Sequence, residues 1–138
     1  MNVLSSMAKT LMLLLALGGS TLMASADPSG PVFELRTYTT VEGRLPALHA
    51  RFRDHTMRLF EKHGMRNIGY WVPVDKPNTL VYLIEHASRE AAAASWRAFV
   101  SDPEWQKVAA DSQADGPILI EGGIVSEFLE ATDYSPIR

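Results

Sequence analysis

The chain has 138 residues, with 13 Lys and Arg against 16 Asp and Glu and a net charge of -3, so it carries no basic footprint for nucleic acid. It contains no cysteine, which excludes disulfides and a lipid-modified cysteine anchor. Stability must therefore come from packing or association.

The N-terminus reads as an export segment. A single cation at Lys9 precedes an apolar run from Leu11 to Leu17, then Gly18 and Gly19, with small residues at Ala24 and Ala26 before Asp27. The run is shorter than the roughly 20 apolar residues that cross a bilayer, so residues 1–26 are expected to be a secretory signal with no lasting membrane anchor. The mature domain is then 27–138, periplasmic or secreted. Its net charge falls to -4, because the segment removed holds one lysine and no acid. A domain of that size buries only about two-thirds of its unfolded surface, and a partner subunit would help it.

The mature chain alternates between strand and helix patterns. Val32 to Thr39 is β-branched and aromatic with period two, placing Phe33, Leu35 and Thr37 on one face and Glu34, Arg36 and Tyr38 on the other. Glu42-Gly43 turns the chain into a helix with Pro46 in its first turn, where the missing N–H costs nothing. Its buried stripe is Leu45, Leu48, Phe52, Leu59 and His63, with His55 or Thr56 filling the gap, and Arg51, Asp54, Arg58 and Lys62 pointing outward. Gly64 ends it.

Asn67 to Val74 is a second strand, with Pro73 marking an edge or a terminus. Asp75 to Asn78 is a turn by composition, and Thr79 to His86 the third strand, so the two form an antiparallel hairpin. Ser88 caps a helix through Ala91 to Val100, with Glu90 in its first turn. Asp102-Pro103 opens a shorter helix bearing Trp105 and Val108. Gly116-Pro117 breaks the pattern, and Ile118 to Leu129 is the last strand, bent at Gly122-Gly123.

The order βαββαβ predicts an α+β, ferredoxin-like domain: a four-stranded antiparallel sheet with both helices on one face. The uncovered face must be either polar or paired with something. Phe33 and Leu35 suit the helix-covered core by their apolarity, which sends Glu34, Arg36 and Tyr38, with Glu85, to the seam of a two-fold homodimer as hydrogen-bonded pairs.

Glu34-Leu35-Arg36-Thr37-Tyr38, the helix ending at His63-Gly64, Gly69-Tyr70-Trp71, Asp102-Pro103-Glu104-Trp105 and Tyr134-Ser135-Pro136 together resemble the NIPSNAP family, from Val32 onward. The resemblance implies a dimeric α+β barrel, the superfamily that also holds small haem-degrading and quinone-forming monooxygenases. The family supplies no catalytic set to carry over.

No motif dictates a reaction. His49 and His55 lie six residues apart, about 120° round a helix, unlike the i, i+4 pair of a metal helix. No metal or cofactor is expected. His55 stands out because it interrupts an apolar stripe, and with Tyr70, Trp96 and Trp105 it is a candidate to line a pocket for a small hydrophobic or aromatic ligand. Nucleophile elbows, phosphate loops and paired glycosidase carboxylates are missing. Two functions remain: a homodimeric binding or interaction module, and a cofactor-independent monooxygenase or isomerase in which His55, Arg36 and Tyr38 polarise a planar aromatic or haem-like substrate. On opposite faces of the sheet those three could not share a site, which favours the first.

Overall fold

A computed structural model describes residues 30–138, so the export segment read at 1–26 lies outside the described residues. Strand β1 (Val32–Thr40) leads through a turn at Gly43, whose φ of 77° needs a glycine, into helix α1 (Leu45–Arg51). A π-helical turn at Phe52–Thr56 and helix α2 (Met57–Lys62) continue the same rod. After Gly64, also left-handed at φ 78°, come β2 (Arg66–Trp71) and β3 (Thr79–His86). Helices α3 (Arg89–Ser101) and α4 (Pro103–Ser112) precede the long β4 (Leu119–Leu129).

The sheet order is β2-β3-β1-β4, antiparallel throughout, which is the ferredoxin-like arrangement. Tyr38 faces Ile124 and Thr40 faces Leu119, so β4 bulges between them, at the glycine pair that the sequence marks as a bend. A Cβ on Gly123 would lie 2.6 Å from the Thr39 carbonyl, so no larger residue fits there.

One core lies between the sheet and the helices. Leu48, Leu59, Phe60, Met65, Tyr82, Ile84 and Ile118 are essentially sealed, and Phe52 meets Tyr38, Phe60, Tyr70 and Tyr82 edge-on at 5.2–6.0 Å. Tyr38 belongs to this core, which corrects the faces expected for β1. Glu34, Arg36 and Tyr38 point under the helices, whereas Leu35 and Thr37 lie on the open face. Only Glu85 of the four seam candidates is on the open face, opposite Phe33 and in ionic contact with Arg66 at 3.4 Å.

The helix ends are pinned to one another. Ser88 Oγ accepts from Ala91 N–H at 3.0 Å, and Asp102 Oδ1 accepts from Glu104 N–H at 2.8 Å, capping α3 and α4 as read from sequence. The other oxygen of Asp102 receives Lys62 Nζ at 2.6 Å and His63 Nε2 at 2.7 Å, so the N-cap of α4 also closes the C-terminus of α2. Lys62, His63 and the Glu104 amide together hold the Asp102 carboxyl far below the usual carboxylate range. Asp102→Ala is expected to lower the melting temperature by several degrees, and Asp102→Asn, which keeps the cap and loses the charge, by clearly less. Equal melting of the two variants in a thermal scan would show that the cap contributes nothing.

Candidate functional site

Two places on the helix side of the sheet hold convergent side chains. The first is a polar network around Glu34 in the central strand. Its Oε1 accepts from Arg36 Nη1 at 2.7 Å and from Ser126 Oγ at 2.6 Å, and its Oε2 accepts from Trp96 Nε1 at 2.7 Å and from His86 Nε2 at 2.8 Å. Donors from β1, β3, β4 and α3 thus satisfy one buried carboxylate. Burial pushes its pKa up, but the bonds from His86, Ser126, Trp96 and Arg36 outweigh that and bring it from 4.5 down to about 2. The proton stays off Glu34 near neutral pH.

Arg36 continues the network. It stacks on the Trp96 ring at 4.2 Å and donates to Tyr38 Oη at 3.2 Å, and Tyr82 Oη lies 3.0 Å beyond. Burial pulls the guanidinium pKa down, yet Tyr38, Tyr82 and Glu34 more than compensate, so it is a fixed cation. Tyr82 is pushed well up, first by burial and then by Tyr38, and remains a neutral phenol. The His86 side chain has no exposure at all, and its Nδ1 finds no partner among the described residues. A sealed imidazole cannot touch a ligand. This cluster ties β1, β3, β4 and α3 together around one buried charge.

The second place is a cleft of about 350 Å³ at the β2 edge, between the π-helical turn and the β2–β3 hairpin. Phe52, Met57, Tyr70, Trp71, Val72 and Leu80 supply its apolar walls, with His49 and Arg53 as the polar groups from the helix. The π turn makes this possible. Met57 N–H bonds back to the Phe52 carbonyl, five residues earlier, and Thr56 Oγ1 to that of Arg51 at 3.2 Å, so the rod accommodates one extra residue. Thr56 then fills the buried stripe and His55 is rotated out to solvent.

Trp71 forms part of the cleft wall. Its indole lies over Gly69, where an added Cβ would sit 2.4 Å from the ring, and its side chain is exposed on the outer flank of the sheet. Tyr70 stacks on Tyr82 with centroids 5.2 Å apart and planes at 15°, and its hydroxyl donates to Asn67 Oδ1. Burial, then Tyr38 and Glu61, push that phenol up, so it stays neutral, with its one proton given to Asn67.

The four pocket candidates do not converge. Tyr70 lines the cleft; His55 lines a separate groove between α1 and α4; Trp96 is held by Glu34; Trp105 packs on Phe99 at 4.5 Å against the core. His55 is therefore corrected to an exposed residue outside the buried stripe. Arg36 and Tyr38 do share the helix side of the sheet, but neither lines the cleft nor the groove that holds His55. Arg51, read as outward, is buried. The sequence singles out neither Arg53 nor Met57, and weighs His49 only as a metal ligand beside His55; nothing local marks the three as neighbours of the Gly69-Tyr70-Trp71 strand. Among the described residues no group of three or more His, Asp or Glu side chains could hold a metal, and no helix is long and apolar enough to cross a membrane.

Comparison with solved structures places this architecture. An uncharacterised NIPSNAP-like domain protein from Burkholderia xenovorans superposes with a TM-score of 0.68 at 20% identity, covering 78% of this chain and 90% of that one. A NIPSNAP family protein of unknown function from Agrobacterium tumefaciens gives 0.67 at 19% identity over 80% and 96% of the two chains. SnoaB, a cofactor-independent oxygenase from Streptomyces nogalater, gives 0.55 at 17% identity over 78% and 98%. These identities establish a shared fold and nothing finer. No curated protein sequence matches the chain. The NIPSNAP family profile matches residues 33–136, which spans all four strands and both ends of the core, and the chain belongs to the NIPSNAP family.

Proposed function

We propose that the protein is an exported, homodimeric small-molecule-binding domain that takes a flat hydrophobic or aromatic ligand in the cleft at the β2 edge. The observation that carries this reading is the cleft itself: about 350 Å³ walled by Phe52, Met57, Tyr70 and Trp71, with only His49 and Arg53 to orient a polar substituent. Small-molecule sites have this composition, and a π turn on one wall is a frequent companion of them. The uncovered face of the sheet supports the homodimer, and the pattern of residues 1–26 supports export, with a mature chain beginning at Asp27 in the periplasm or outside the cell.

Naphthol, a planar phenol, is the probe. Titrated into the purified protein, it should quench tryptophan emission saturably, and Trp71→Phe should remove that response. Met57→Trp, which fills the cleft from an exposed helix position, should weaken binding by about tenfold or more. Unsaturable quenching, or binding indifferent to Met57→Trp, would sink the proposal. The likeness to a cofactor-independent oxygenase adds one reading to the same titration. Oxygen consumed on adding naphthol would point to chemistry in the cleft, and unchanged oxygen to binding alone.

A further inference from the structure

Arg51, at the end of α1, is a buried cation that no acid neutralises among the described residues. It is 7% exposed; among the described residues its Nε has no partner, and its one side-chain hydrogen bond runs from Nη1 to Ser112 Oγ at 3.5 Å, the outer limit for such a bond. Arg36, Arg44, Arg58 and Arg66 each reach a carboxylate. Arg51 instead lies 5.3 Å from the centroid of Trp105 and lines the groove between α1 and α4, of about 600 Å³. A buried guanidinium with unspent donors is costly, and such groups persist where a ligand completes them.

The groove sets the ligand's chemistry. Ala47, Ala50 and Val108 give it an apolar floor beside Arg51. Three acids also line it: Glu104 is engaged by Arg58, Asp111 by Lys107 at 2.5 Å, and Asp54 forms no ion pair among the described residues. Lys107, His55 and Ser112 complete the lining. With Glu104 and Asp111 engaged by Arg58 and Lys107, Arg51 faces Asp54 as its one uncompensated neighbour, so the lining admits at most a single negative charge, bound at Arg51, and repels a double one. We infer that this groove is a second ligand site, in which Arg51 holds the carboxylate of a small monocarboxylate whose apolar body lies on Ala47, Ala50 and Val108.

The site is independent of the β2-edge cleft and is tested with a different probe. Sodium benzoate, titrated against sodium chloride at matched ionic strength, should shift the backbone amide signals of Ala47, Ala50 and Val108 and raise the melting temperature. Arg51→Met should weaken benzoate binding by about tenfold or more while leaving naphthol binding intact. The same variant should melt higher than the parent without ligand, because an apolar side chain of similar length replaces an unpaired buried charge. Arg51→Lys keeps a charge without the planar fork and should bind benzoate more weakly than the parent. The inference fails if benzoate binds Arg51→Met as tightly as the parent, if its shifts fall at Tyr70 and Trp71 instead, or if inorganic phosphate binds at least as well.

Discussion

Glu34→Gln is expected to destabilise the domain by about 3–5 kcal/mol, the usual cost of removing one partner from a buried ion pair. The glutamine can accept from only one side. It leaves the Arg36 guanidinium without its counter-charge and turns an amide N–H towards donors that lost their acceptor, Ser126 Oγ and Arg36 Nη1 or Trp96 Nε1 and His86 Nε2. The carboxyl also predicts a pH dependence of definite sign. Its folded pKa, brought from 4.5 to about 2, is depressed, so its stabilisation is fully present above pH 4.5 and lost as pH falls towards 2. That loss amounts to about 3 kcal/mol. Urea unfolding between pH 2 and pH 5 should show stability falling with acid in the parent, and a much shallower fall in Glu34→Gln. Identical slopes would mean that Glu34 does not hold its proton off in the folded state.

The same residue shows what could be read from the sequence. Strict alternation in β1 is plain in Phe33 to Tyr38, and all four strands and the helix caps lie where periodicity and turn chemistry put them. What alternation cannot say is which face the helices cover. Apolarity argued for Phe33 and Leu35, but Glu34 is compensated by Trp96, His86 and Ser126, between 52 and 92 residues away along the chain, and no local pattern reveals such donors. Likewise a 3.6-residue stripe gives His55 and Thr56 equal claim to the core. The π turn that decides between them is fixed by tertiary packing, and with it the position of the cleft.

The motifs that carried the family resemblance have a shared physical role. Glu34, Arg36 and Tyr38 form the sub-helix network, and His63 at the end of one helix bonds Asp102 at the start of another. Both are devices that hold helices on the sheet. They do not line the cleft, apart from Tyr70 and Trp71. A family signature made of scaffold fits a fold that accommodates different ligands through the residues around it.

Val81→Glu is expected to convert the proposed homodimer into a folded monomer. On the open face, Trp71, Val81, Thr37 and Val125 form one row across all four strands, and Leu83 and Leu35 lie in the next. Trp71 and Val125 are 55% and 56% exposed, so the row ends are apolar and uncovered. A two-fold axis through such a face would pair it with its own copy, and a change at one position then counts twice. Two carboxylates buried without partners should weaken the dimer by about a thousandfold, whereas the monomer, in which Val81 is only half-buried, keeps its fold. Sedimentation at micromolar concentration reads this directly, with Ala93→Glu on the exposed side of α3 as the control that should remain dimeric. A monomeric parent would remove the dimer proposal altogether. Because Trp71 belongs both to this face and to the cleft, a partner seated on the sheet would fix its indole. The monomeric variant should therefore also bind naphthol more weakly, and unchanged affinity would show that the cleft is complete within one subunit.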